Sequence, residues 1–163
     1  MRILMDIQAC QSHHGRRGIG RYVSGLARGL AAAAKDRHEL WLLTQTQLQV
    51  SPIEIRNKLA GLVAPERIVS FEVPEAFGAM DAESRRVAAI ALRNDVISGI
   101  DPDVMLVGSM FEGFVDGAIV DGGPSSIPLV SVVFDLIPYL CPQNYLVVDK
   151  MRTWYYRQVG ELR

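Results

Sequence analysis

Residues 1–35 read MRILMDIQACQSHHGRRGIGRYVSGLARGLAAAAK, and their order decides the fold class. Arg2–Ile7 is a short apolar run with the look of a buried strand. Gln8–Gly20 is a loop holding Gly15, Gly18 and Gly20. From Arg21 to Lys35, Tyr22, Val23, Leu26 and Leu30 recur at helical spacing ahead of an alanine run. Strand, glycine-bearing loop and helix in that order open a βαβ unit.

The alternation continues downstream. Leu40–Thr44 reads as a second strand, and Ser51-Pro52 begins a helix well, since serine caps and proline suits the first turn. That helix is expected to carry Ile53, Ile55, Leu59 and Leu62. Arg67–Val73 alternates as a third strand. Asp81–Ile100 is the longest helical pattern, with Val87, Ile90, Ala91, Val96, Ile97 and Ile100 expected on one side and Pro102 as its stop. Asp103–Val107 is a fourth strand, Ser109–Ser126 a glycine-rich loop, Leu129–Phe134 a fifth strand, and Tyr145–Arg163 a helix. The pattern predicts an α/β fold: a Rossmann-like parallel sheet with helices on both faces.

Composition fits one domain. The chain has 163 residues, 49% hydrophobic and 21% charged, the balance of an ordinary globular protein. A disordered tail, a collagen-like chain and a disulfide-dense module are excluded. Seventeen basic and eighteen acidic residues give a net charge of -1, without the basic face of a nucleic-acid binder. Cys10 and Cys141 form no CxxC pair and read as reduced thiols in a soluble, cytoplasmic protein. No window reaches the length of a membrane span.

In parallel sheets ligands bind outside the carboxyl ends of the strands, where strand order reverses. That rule selects two segments. The first is Gln11–Arg21, QSHHGRRGIGR. Its glycines let backbone approach a ligand, free amides at the helix start favour anions, and Arg16, Arg17 and Arg21 are donors suited to phosphate. The plain alternative is a tight strand-to-helix turn with solvated arginines. A dinucleotide site is rejected, because Gly15-x-x-Gly18-x-Gly20 is not GxGxxG and the second strand ends in Thr44-Gln45 rather than an acidic residue. No Gly-Lys-Ser/Thr exists for a Walker loop. His13 and His14 lack companion ligands at metal spacing, so no metal is expected, and a polar contact of His14 to substrate is the better use.

The second segment is Phe134-Asp135-Leu136-Ile137-Pro138-Tyr139. An acidic residue directly after a buried strand can orient a hydroxyl or act as a base, and Asp135 is the candidate catalytic residue. It can equally cap the turn before Pro138. Glu112 and Asp116, after the fourth strand, can face the same cleft or be merely solvated.

Three stretches then resemble a known family in their order and spacing: MRILMDIQACQS…RRGIGRYVSGLARGL, DPDVMLVG and LVSVVFDLIPYLCPQNYL. They look like the N-terminal half of retaining glycosyltransferases of family four, with the GT-B fold. Residues 145–163, with Trp154-Tyr155-Tyr156-Arg157, are similar to the segment after the Asp-x-x-Pro loop in bacterial polysaccharide members. The resemblance implies a hexosyltransferase that moves a sugar from a nucleotide-sugar donor to a glycan or lipid-linked acceptor. Residues 1–163 would be its acceptor-side domain, a fragment lacking the C-terminal donor-binding domain and inactive alone.

The resemblance also assigns roles. Gly18 and Gly20, helped by Arg17 and Arg21, approach the donor diphosphate; Asp135 positions an acceptor or sugar hydroxyl; His14, Tyr139 and Glu112 belong to the acceptor side. No metal or cofactor is implied. Phe134 stands where relatives often have a histidine that touches the donor sugar. A peripheral contact at the inner face of the membrane is expected for such an enzyme. A different class stays open, a Rossmann-like nucleotide-sugar-binding or protein-interaction domain without chemistry.

Overall fold

A computed structural model describes residues 1–12, 15, 17–35, 37–73 and 82–162. Five strands form one parallel sheet: β1 (Arg2–Asp6), β2 (Glu39–Gln45), β3 (Ile68–Phe71), β4 (Val104–Val107) and β5 (Leu129–Ser131), in the order β3-β2-β1-β4-β5. Helix α1 (Gly18–Ala34) follows β1, α2 (Pro52–Lys58) follows β2, and α3 (Ala82–Ile100) follows β3. After β5 come two short turns of helix, α4 (Ile137–Leu140) and α5 (Pro142–Tyr145), and then α6 (Asp149–Gly160). This is the Rossmann-like α/β sheet the alternation predicts.

Both faces are covered, which is why the strands read as continuous apolar runs. On one face Met5, Ile7, Leu40, Leu42 and Ile68 pack with Val23 and Ala27 of α1 and Ile55 of α2. On the other, Leu4, Leu43, Met105 and Val107 pack with Ile97 and Ile100 of α3. Neighbouring residues alternate between the two cores, as a pleated strand requires.

Local rules explain the boundaries. Ser51 caps α2 in a complete capping box with Glu54, and Pro52 occupies the first turn. The fifth strand is shorter than Leu129–Phe134. Its partner β4 ends at Val107, and the last bond runs from Val132 N to Val107 O, so pairing stops there. Helix α1 starts at Gly18 rather than Arg21, so two of the loop glycines belong to its first turn.

Several expected core positions are corrected. Ile53 and Leu62 are exposed while Ile55 and Leu59 are buried, because the second helix ends at Lys58 and turns Leu62 outward. Tyr22 is exposed beside buried Val23. In α3 the buried positions are Ala89, Arg93, Ile97 and Ile100, and Val87 lies outside. The stripe is one step round from the expected one because a buried arginine lies within it.

Candidate functional site

Strand order reverses between β1 and β4, since the chain runs outward through β2 and β3 and returns to the other side of β1. The crevice beyond their carboxyl ends is the topological switch point. Three segments surround it: the loop after β1, the loop after β4, and residues 132–140 after β5.

The first loop is held rigidly. Residues Gln8–Cys10 make a 3-10 turn. Buried Gln11 then ties the loop to the end of β2: its Nε2 donates to Gln45 O and Val50 O at 2.8 Å each, and its Oε1 accepts from Gln45 N at 2.9 Å. The glycines divide their work. A β-carbon on Gly20 would fall well inside 3.0 Å of three backbone atoms of Gly15, and one on Gly15 would collide with Cys10 O. These two glycines fold the loop onto itself. A β-carbon on Gly18 would meet nothing within 4 Å among the described residues, so it faces open space.

At the head of α1, Arg17 occupies the cap position with no side-chain cap bond, and no acidic residue stands in the first turn. The first-turn amides lack intrahelical acceptors and carry the positive end of the helix dipole. Arg17 and Arg21 are both exposed beside them. His13, His14 and Arg16 lie outside the described residues. Among the described residues no group of three or more His, Cys, Asp or Glu is placed to hold a metal.

The second loop carries the chemically distinctive group. Glu112 is buried, and Ser109 Oγ donates to its Oε1 at 3.0 Å. No salt bridge reaches it among the described residues. Burial pushes its carboxyl up to about 7, against the lowering effect of the Ser109 bond; Asp116 and Asp6 push it further the same way. Such a group changes protonation near neutrality and can either donate to or accept from a hydroxyl. Asp116 serves its own loop, accepting from Gly113 N and Ala118 N. Gly108 permits the close approach of this loop, because a β-carbon there would meet Val23 Cγ1 at 2.7 Å.

After β5, Asp135 is exposed and its Oδ1 accepts from Ile137 N at 3.0 Å. It therefore fixes the turn into α4, and its carboxyl stands in the open at the carboxyl end of the sheet. Phe134 packs edge-to-face on Tyr22 of α1, centroids 5.3 Å apart, which joins the third segment to the first. Tyr139 lies 6.0 Å from Tyr156, ring to ring. Phe111 stacks on buried Tyr155 at 4.7 Å, and Phe114 leans on Trp154. The Trp154-Tyr155-Tyr156 set thus mostly packs back onto the loops around the crevice, and Tyr156 stays exposed.

Sequence reasoning missed a buried ion cluster behind the crevice. Arg93 of α3, fully buried, pairs with Asp6 Oδ2 at 2.8 Å and with Asp121 Oδ1. Asp6, at the carboxyl end of β1, also accepts from Gln8 N and Nε2. No spacing rule could reveal the cluster, since its members lie 87 and 28 residues apart. Only an arginine inside an apolar helical stripe hinted at it.

A cavity of about 690 Å³ opens at the opposite end of the sheet, lined by Arg2, Arg37, His38, Glu39, Arg67, Asp101 and Asp103. Arg2 and Arg67 both pair with Glu39, and the Arg2 backbone N donates to Asp103 Oδ2. It braces the amino ends of the strands and shares no residue with the crevice. Cys10 and Cys141 are free, and burial pushes the Cys10 thiol up to about 12. No helix among the described residues is long and apolar enough to cross a membrane.

Comparison with known proteins finds relatives of this chain. Serotype-specific mannosyltransferase WbdA of Escherichia coli is 31% identical over 166 residues, spanning 99% of this chain and 20% of the relative. Two further E. coli proteins of that name are 35% and 34% identical over 96 residues, 58% of this chain and 12% of each relative. The chain thus spans a fifth or less of the length of these curated relatives. No family model matches it, and no solved structure matches it.

Proposed function

We propose that this chain is the N-terminal, acceptor-side domain of a retaining GT-B glycosyltransferase of family four, acting in polysaccharide biosynthesis. The similarity to a mannosyltransferase along 99% of the chain carries this reading. In it, a sugar moves from a nucleotide-sugar donor to a glycan or lipid-linked acceptor at the cytoplasmic face of the membrane. The relative's name makes mannose the first sugar to test. A second, donor-binding domain of the longer protein would close over the crevice.

Each residue then has a physical task. The first-turn amides of α1 and the open Cα of Gly18 meet the donor diphosphate, with Arg17 and Arg21 adding positive charge. Gly20 acts indirectly, by shaping the loop that presents them. Asp135 orients a reacting hydroxyl from its position at the β5 turn, while Glu112, with His14 and Tyr139, holds the acceptor. Stabilisation of the leaving diphosphate needs no metal in this scheme; fixed amide dipoles and arginines supply it.

The test is calorimetric titration of this chain with GDP-mannose, UDP-glucose and UDP, beside Gly18→Ala and Asp135→Asn. Saturable binding of one nucleotide sugar, weakened by Gly18→Ala, is the expected result. Absence of heat at millimolar ligand from folded protein would overturn the donor contacts assigned to this domain.

A further inference from the structure

The chain from 108 to 128 forms neither helix nor strand, yet it is fixed from three directions. From α6, Gln158 Nε2 donates to Met110 O at 2.7 Å and Val120 O at 3.0 Å. From the turn after β1, the Gln8 side chain exchanges two bonds with the Ile119 backbone, at 2.7 and 2.9 Å. From α3, Arg93 grips Asp121, whose Oδ1 also accepts from Gly123 N. Irregular segments this long inside a compact domain are uncommon and usually functional.

The third hold is the informative one. Burying an arginine with two carboxylates is costly, and a well-packed apolar replacement is often equally or more stable. Arg93 Nε, moreover, has no partner among the described residues. Stability alone is a poor reason for this cluster; a defined position for the loop it grips is a better one. It grips the far limb of a loop whose near limb presents Ser109 and Glu112. Its other anchor, Asp6, ends the strand beside β4.

We propose that Arg93 is a positioning residue: through Asp121 and Asp6 it sets the conformation of the 108–128 loop that holds the Ser109–Glu112 pair in the crevice. The proposal rests on the reading of that pair as the acceptor side of the site. Its direct observable, however, is the environment of Glu112. The charged groups that act on Glu112 are Asp116 and Asp6, and Asp121 is not among them. Because Asp121 reaches Glu112 electrostatically only through Arg93 and Asp6, amide exchange across the loop is read beside the Glu112 midpoint, and the two together report movement of the loop.

The experiment tracks the side-chain carboxyl of Glu112 by carbon NMR against pH in this chain, in Asp121→Asn and in Arg93→Lys, with unfolding curves and amide exchange alongside. The folded variants should lose exchange protection across 108–123. Their Glu112 midpoint should fall from about 7 toward the ordinary carboxylate range as water reaches it. A folded Asp121→Asn with an unmoved midpoint and intact protection would overturn the proposal and leave Arg93 a core filler. If Arg93→Lys does not fold, the near-isosteric Asp121→Asn decides alone. Neither readout depends on sugar transfer, so failure of the glycosyltransferase reading would show in the nucleotide-sugar titration instead.

Discussion

Gly18 and Gly20 lie two residues apart in one helical turn, and replacing each by alanine should have opposite consequences. Alanine at 20 puts a β-carbon well inside 3.0 Å of Gly15 backbone oxygen, Cα and carbon, none of which can swing aside like a side chain. The loop must move, at a cost near the top of the overpacking range, about 3 kcal/mol. Alanine's better helix propensity returns at most about 1 kcal/mol, leaving a net loss of about 2 kcal/mol. For a chain of this length that lowers Tm by roughly 4–8 °C. Alanine at 18 meets nothing within 4 Å, so its Tm should hold or rise slightly. Thermal unfolding of the two variants beside the parent measures this. Nucleotide-sugar titration supplies the second axis, because Gly18→Ala should weaken binding without weakening the fold. Equal Tm values for the two variants would refute the division of labour between a packing glycine and a ligand-facing one.

Glu112 makes stability pH-dependent. Its carboxyl is raised when folded, so its contribution is full below the unfolded carboxyl range and is lost as pH rises through about 7. Urea midpoints of the parent should therefore fall between pH 5 and 8, and Glu112→Gln should flatten that slope. Asp135→Asn keeps an oxygen for Ile137 N, so unfolding curves should match the parent within about 0.5 kcal/mol while any role of the charge in binding is removed. Gln158→Leu strands the buried carbonyls of Met110 and Val120 and should cost about 2 kcal/mol or more in denaturant titration.

The sheet was legible because its information is local. Apolar runs such as Ile3–Met5 and Leu40–Leu43 report strands buried on both faces, and Ser51-Pro52 announces a helix start. The carboxyl-end rule then located the loops after β1 and β5 without coordinates, while Glu112 in the loop after β4 was left between facing the cleft and being solvated. The features that stayed hidden depend on contacts between distant residues. Nothing in GRRGIGR distinguishes Gly20, which faces Gly15, from Gly18, which faces open space. The shortening of β5 is set by where its neighbour ends, and a strand's own residues do not record that.

Arg93 marks the boundary between these two kinds of information. In ALRNDVISGI it sits four residues before Ile97, on the stripe that faces the sheet, so a strict apolar count rotates the helix to leave it outside. The structure keeps it inside because Asp6 and Asp121 converge on it from β1 and the 108–128 loop. Two buried carboxylates, Asp6 and Asp121, thus share a cation, while the third, Glu112, accepts from a serine hydroxyl and meets no cation among the described residues. The difference separates their roles. The paired carboxylates fix backbone, and the one without a cation is left able to trade a proton or a hydrogen bond with whatever enters the crevice. A fold that needed only stability would have had reason to pair or remove Glu112 as well, so loss of acceptor binding in Glu112→Gln is the outcome expected if that carboxyl faces the acceptor.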